Sequence, residues 1–245
     1  LGADLLATGH YATVINRYTP DRQEIGHAWL ERGVDLHKDQ SYFLSMLSHK
    51  IIDRLVFPLA ALTKTQVREF AGQHNLVPVV PGESQDICFL PDKNHGAFII
   101  AKTQIPPKPG PVVDSQGRTV GSHQGLHKFT VGQRKGINIP GLAPYYVKKI
   151  DMNTNTLHVC FKSDLAQKRM KVEEMTWNYP EKENIRNLTV QIRYGHKAAP
   201  ARLDWDDTHG IVTFDTPQNA ITPGQAAVFY QGNRVLGAGL ISVTQ

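Results

Sequence analysis

Apolar and polar positions follow three regimes along this chain of 245 residues. To about residue 80, short apolar runs alternate with helix-like segments. Leu5-Leu6-Ala7 reads as a short buried strand that ends in the polar loop Thr8-Gly9-His10-Tyr11. Tyr11–Arg17 and Ala28–Arg32 read as strands flanking a loop around Pro20. Asp39 is placed to N-cap a helix that turns Phe43, Leu44 and Leu47 inward. Leu55–Leu59 is extended, and Thr63-Lys64-Thr65-Gln66 is a capping box opening a helix over Lys64–His74. Alternating strands and helices predict the end of an α/β domain.

The second regime begins after a short helical stretch within Asn94–Lys102. Pro106, Pro107, Pro109 and Pro111 make a stiff connection and a domain boundary. Val112–Val120 carries a hairpin pattern, and Tyr146–Phe161 carries another around Asn153-Thr154-Asn155. From about Met170 the period is two. Leu188–Tyr194, Ala201–Trp205, Ile211–Phe214, Ala226–Tyr230 and Val235–Val243 read as strands, with a turn at Gly232-Asn233, and predict a small barrel. The expected domains are therefore 1–95, 96–165 and 166–245.

Composition adds little to this picture, but charge distribution adds more. A 40% hydrophobic, 20% charged chain is an ordinary globular sequence, and no apolar run approaches the ~20 residues of a membrane span. Two cysteines are too few for a disulfide framework, so a reducing cytoplasm is expected. The net charge is +5, yet Ala101–Ile150 holds eight Lys and Arg residues against Asp114 alone. Such a basic middle segment suits a phosphate backbone. Within it, Gly125–Gly136 mixes cations, an aromatic ring and glycines, a composition suited to RNA.

Candidate chemistry centres on Cys88, set in the polar stretch Glu83–Leu90 after the Pro81-Gly82 turn. A thiol among polar groups can be reached and activated as thiolate, whereas an inert buried cysteine fits the same eight residues. Cys160 falls at an alternating apolar position and reads as a core thiol. Gly9 and His10 suit either a ligand loop at a strand end or an ordinary turn. Lys38-Asp39-Gln40 suits either an anion site at a helix start or a capped surface helix. No zinc spacing, G-x-S-x-G elbow or Walker A loop occurs, and neither does a Ser-Gly-Gly-x-Asp-Ser pyrophosphate loop.

Six strings in order resemble the tRNA-specific 2-thiouridylases, the MnmA family. They are Ala7–Ala12 (ATGHYA), Lys38–Leu44 (KDQSYFL), Ser84–Phe89 (SQDICF), Gly132–Gly136 (GQRKG), Arg193-Tyr194, and Thr222–Gln225 (TPGQ). The resemblance implies the tail of an adenine-nucleotide α-hydrolase-like (PP-loop) domain, a small central domain and a C-terminal β-barrel. It implies use of ATP and Mg²⁺ to adenylate the C2 oxygen of the wobble uridine, followed by attack of a cysteine persulfide sulfur and departure of AMP. Cys88 matches the persulfide cysteine and Gly9 an ATP-contacting position. His10, Lys38, Asp39, Gln40, Arg193, Tyr194 and Gln225 match tRNA-contacting positions. The implied partners are tRNAs for Lys, Glu and Gln and a persulfide-donating relay protein, with no membrane and a monomeric enzyme.

Two family features have no match in these residues. The pyrophosphate loop and the first catalytic cysteine, which closes a disulfide with the persulfide cysteine, both lie upstream of ATGHYA in the family. Cys160 lacks the context to replace that cysteine. The expectation is an N-terminally truncated enzyme that binds tRNA weakly and does not thiolate it alone. Two other readings remain open: a non-catalytic RNA-binding module with a structural Cys88, and another PP-loop enzyme that makes 4-thiouridine or an amide.

Overall fold

In the computed structural model, which describes residues 2–15, 27–76, 98, 100–102, 106–178 and 188–242, the late period-two pattern closes into a barrel. Cys88 and its loop lie outside the described residues, as does residue 16 onward of the strand expected to Arg17. By contact the chain divides into two units. One joins Leu1–Val77 to Lys168–Pro217 and Pro223–Gln245, and the other holds Pro78–Gln167 with Gln218–Thr222.

The first unit contains eight strands of one sheet. Strands β2 (Ala12–Ile15) and β3 (Trp29–Arg32) come early in the chain. Strands β9 (Ala166–Trp177), β10 (Leu188–Gln191), β11 (Ala199–Trp205), β12 (His209–Asn219), β13 (Ala226–Gln231) and β14 (Arg234–Ile241) come late. The order β13-β10-β11-β12-β9-β14 is closed by β13–β14 pairing, so these six strands form a barrel without a free edge. Alternation drives the closure: Ala199, Ala201 and Leu203 of β11 and Val212 and Phe214 of β12 point inward. Phe214, Phe229 and Tyr230 are fully buried, and each contributes about 1.5–3 kcal/mol relative to exposure. Gly237 permits the close crossing of β14 over β9, because a Cβ there would collide with the Thr176 carbonyl.

Strands β2 and β3 form an antiparallel hairpin whose Glu31 pairs with Arg234, so it extends the barrel sheet. Expected as part of an α/β domain, this pair instead joins the start of β14, on the side away from β13. One apolar core accordingly joins Ala12, Leu30, Tyr42, Ile52 and Phe57 to Val228, Tyr230 and Val235. An α/β remnant does persist, in parallel pairing of β1 (Leu6–Ala7) with β4 (Leu55–Val56). β1 is not buried, however: Leu5 and Leu6 are each 59% exposed, since no described element covers that face.

The helices are short. Residues Ser41–Leu44 form α1 and His49–Ile52 form α2. The expected Asp39 cap falls instead on Gln40, which makes no side-chain cap bond. Helix α3 (Lys64–Gln73) starts with the full capping box read from the sequence, Thr63 with Gln66. Asp35 adds a remote cap, its Oδ2 accepting from the Lys64 N–H at 2.9 Å.

The second unit is a four-stranded sheet, β6-β5-β8-β7, made from two local hairpins joined by parallel β5–β8 pairing. β5 (Gly110–Val113) pairs with β6 (Thr119–His123), and β7 (Tyr146–Asp151) pairs with β8 (Thr156–Cys160). Both expected hairpins are present. Asp114 organises the first turn, accepting from the Gln116 and Arg118 N–H groups at 2.9 and 3.0 Å and from the Arg118 guanidinium at 2.7 and 2.8 Å. Asn155, at φ 52°, supplies the left-handed residue of the second. Val112, Leu126, Ile137, Val147, Leu157 and Val159 form its core.

Candidate functional site

The chemistry-bearing residues of the first unit collect around a buried ion pair. Arg32 ends β3, and its guanidinium donates to Asp39 Oδ2 at 3.0 Å and to Gln191 Oε1 at 3.2 Å. The same guanidinium lies 3.7 Å over the Tyr230 ring. Asp39 Oδ1 accepts from the Gly33 and Ser41 N–H groups at 3.1 and 3.0 Å, and Oδ2 also accepts from the Ser41 hydroxyl at 2.9 Å. Asp39 is only 7% exposed, so both oxygens are engaged inside the protein. Ser41 in turn lies 3.2 Å from the Tyr230 hydroxyl. Burial pushes that phenol up to about 12, against the opposing Ser41 hydrogen bond and Arg32 charge.

This network determines where neighbouring groups point. Gln191 Nε2 donates to the Arg193 carbonyl, fixing the turn that displays Arg193 and Tyr194. Gln40 exchanges two bonds with the Tyr11 backbone, at 2.8 and 3.0 Å, and so anchors the segment after Gly9 and His10. His10 is held by Thr8 through Nδ1 at 2.8 Å and sits edge-on to Phe57. Gly9 is exposed, and a Cβ there would meet only Leu59, at 3.6 Å. Tyr42 donates its hydroxyl to the Ala226 carbonyl, next to the exposed Gln225. Lys38 is half-buried beside Asp39, while Arg193 and Tyr194 are exposed.

Between the Gly33–Asp39 loop and the Tyr194–Ala198 turn lies a cleft of about 640 Å³. Arg32, His37, Asp39, Gln191, Tyr194, His196, Lys197 and Asn233 are among its lining residues. The Nδ1 of His196 is buried without a hydrogen-bond partner. Burial and the nearby Arg193 charge lower the His196 pKa, so at neutral pH its imidazole is uncharged. A neutral ring nitrogen, a lysine, an arginine and an exposed tyrosine around an open cleft can bind a nucleotide by hydrogen bond, charge and stacking.

The geometry thus brings Lys38, Asp39, Gln40, Arg193 and Tyr194 into one neighbourhood. Gly9, His10 and Gln225 are tied to it by backbone anchors, and Cys88 lies outside the described residues. Arg32, Ser41, Gln191, His196 and Tyr230 escaped sequence reading. Arg32 and Gln191 are separated by 159 residues, and nothing in either local pattern signals their pairing.

The nucleotide and metal implied by resemblance fit these residues only in part. Exposed Gly9 offers an open backbone, but no phosphate-cradling loop occurs in the sequence. No group of three or more His, Cys, Asp or Glu able to hold a metal occurs among the described residues. Cys160 is buried, and burial, opposed by Lys148, raises its thiol pKa, which makes it inert. Among the described residues no helix is long and apolar enough to cross a membrane.

Three family profiles match consecutive stretches of the chain. The tRNA methyl transferase HUP domain covers residues 1–92, the tRNA methyl transferase PRC-barrel domain 98–161, and the aminomethyltransferase beta-barrel domain 167–241. The tRNA-specific 2-thiouridylase MnmA of Desulfosudis oleivorans is 46% identical over 242 residues, covering 98% of this chain and 66% of that protein. The protein of the same name from Chloroflexus aurantiacus is 42% identical over 245 residues, covering 99% and 66%. The tRNA-specific 2-thiouridylase MnmA 2 of Syntrophus aciditrophicus is 38% identical, covering 98% of this chain and 75% of that protein. The chain therefore spans 66% of the length of the first two relatives and three quarters of the third. With a HUP segment, a PRC-barrel and a C-terminal barrel in that order, it belongs to the tRNA-specific 2-thiouridylase, or MnmA, family.

Proposed function

We propose that this chain serves tRNA 2-thiolation, binding tRNA through the cleft beside Arg32 and Asp39 and carrying sulfur on Cys88. The observation that carries the reading is the convergence of Arg32, Tyr194, His196 and Lys197 on that one cleft, with Lys38 and Arg193 next in sequence to its lining residues Asp39 and Tyr194. Domains 1–95, 96–165 and 166–245 then divide the work into sulfur delivery, an accessory basic RNA surface and the barrel that presents Arg193 and Tyr194. His10, Gln40 and Gln225 extend the tRNA contact. Asp39, with both oxygens occupied, acts by holding the Lys38 loop in place. The relatives' name favours thiolation over the methyl transfer in the domain descriptions, and Cys88 in a polar stretch supplies a residue type suited to it.

On this reading Cys88 accepts sulfur as a persulfide from a relay protein in the cytoplasm and delivers it to C2 of the wobble uridine in tRNAs for Lys, Glu or Gln. A persulfide suits the step because its outer sulfur is nucleophilic and is released by breaking an S–S bond. Release requires a second thiol to take the Cys88 sulfur into a disulfide, and Cys160, the other cysteine of the sequence, is buried. ATP and Mg²⁺ supply activation of the C2 oxygen in the family reading. These 245 residues lack the phosphate loop, so their own contribution is to bind the tRNA and hold the sulfur.

Binding of an unmodified tRNA for Lys to the monomeric 245-residue chain tests the proposal. Arg193→Ala should weaken affinity several-fold and flatten the slope of log K against log salt by about one unit, the signature of one lost phosphate contact. Cys88→Ser should bind as tightly as wild type and accept no labelled sulfur from a persulfide donor. Salt-insensitive binding would overturn the reading, and ATP-dependent thiolation by these residues alone would overturn the limit of their contribution to binding tRNA and holding sulfur.

A further inference from the structure

Helix α1 turns one aromatic ring away from the protein. Tyr42 is fixed by its hydroxyl bond to Ala226, and Ser41 and Leu44 are buried. Successive helical residues are ~100° apart, so with its neighbours committed inward Phe43 faces out, reversing the inward orientation expected from sequence. It is 59% exposed. Its ring does not stand alone: the Tyr194 ring, 48% exposed, lies 4.6 Å away at an interplanar angle of 39°. Buried Tyr42 supports both, at 5.6 Å from Phe43 and 6.3 Å from Tyr194. Two exposed rings therefore rest on a third that is pinned to the barrel.

The surroundings are basic. Lys38 precedes α1, Arg193 adjoins Tyr194, and Lys197 follows in the same turn. The two carboxylates of the loop before α1 are occupied: Asp39 by Arg32 and Ser41, Asp35 by the N–H groups of His37 and Lys64. An apolar protein segment gains nothing from such a cationic rim, whereas a nucleobase brings both a π-face and a phosphate. We propose that Phe43 and Tyr194 form a stacking site for one unpaired nucleobase of the bound RNA, Phe43 being a binding residue at a position whose sequence pattern points to the core. The proposal rests on the RNA-binding reading above. Rings held by neighbours lose little entropy when a base stacks on them, and every base has a face to offer, so the site takes an unpaired base without selecting its identity.

Titration of the 245-residue chain with an unmodified tRNA for Lys, and separately with a blunt RNA duplex, tests the site. Phe43→Ala should weaken tRNA binding roughly tenfold to a hundredfold, the range for loss of one stacked base. The salt slope should stay at its wild-type value, because no phosphate contact is lost. Phe43→Trp should restore affinity, and duplex binding should be the same for wild type and Phe43→Ala. Unchanged tRNA affinity in Phe43→Ala overturns the proposal, as does a lowered melting temperature with affinity intact, which would make Phe43 a packing residue. An equal loss on the duplex also overturns it. If Arg193→Ala loses affinity and Phe43→Ala does not, the RNA-binding reading stands and the stacking site alone falls; a wild-type chain that binds neither RNA sinks both.

Discussion

The two units are built from the same kind of strand yet are assembled in opposite ways. In the Pro78–Gln167 unit, β5–β6 and β7–β8 are hairpins of near neighbours, and the turns contain their own instructions in Asp114 and Asn155. In the other unit the decisive contacts are distant. β3 pairs with β14, Arg32 reaches Gln191 across 159 positions, and Tyr42 reaches Ala226 across 184. The locally wired unit follows from sequence. The distantly wired unit holds the candidate site, and its long-range bonds are what place Lys38, Phe43 and Tyr194 at the surface.

The two cores share no residue, and the sharpest way to test that separation is to damage one of them. Leu157→Ala removes a fully buried side chain and should destabilise the central sheet by about 3–4 kcal/mol. Hydrogen exchange should quicken in β5–β8 and stay unchanged in β10–β13. Equal quickening in both would show that the two cores form one cooperative unit.

Asp39→Asn probes the long-range wiring. It leaves the Arg32 guanidinium without its counter-charge in a half-buried position, at a cost of about 3 kcal/mol in urea unfolding. Because Arg32 also holds Gln191, and Gln191 the Arg193 carbonyl, tRNA affinity should fall even though Asp39 offers no free lone pair to RNA. Full stability with lost affinity would instead make Asp39 a direct contact.

The smallest effect expected is a pH dependence confined to the locally wired unit. Burial works to raise the Asp114 carboxyl, but the Arg118 side chain and the turn N–H groups outweigh it and hold the pKa below the ordinary value. A depressed folded pKa stabilises above the unfolded value, near 4, and that stability is lost as pH falls through the folded value. Asp114→Asn should therefore lower the melting temperature of the central sheet at pH 7, and the gap from wild type should close below about pH 4. A gap that is constant with pH would assign the effect to the turn's geometry rather than to its charge.

Residue by residue, sequence reading succeeded where a side chain acts on its own neighbourhood. Thr63 with Gln66, both central hairpins, the buried Cys160 and the alternating barrel strands all follow from spacing within about ten positions. It failed where burial depends on distant partners. Leu5 and Leu6 have strand pattern but no described cover, and Phe43 sits at a helical position whose inward side is already taken by Tyr42 and Leu44. Asp39 reads as a cap because capping is local, whereas its main partner Arg32 belongs to another strand.

By itself the sequence determined the elements, the order of the α/β, central and barrel segments, and the family, since propensity, turn chemistry and motif strings are written in adjacent residues. Only the tertiary structure decided that the β2–β3 hairpin joins the barrel, that Asp39 is a buried hub, and that Phe43 and Tyr194 meet at the surface. Those outcomes depend on which groups remain unpaired after the barrel closes, and only the folded chain brings such groups within bonding distance.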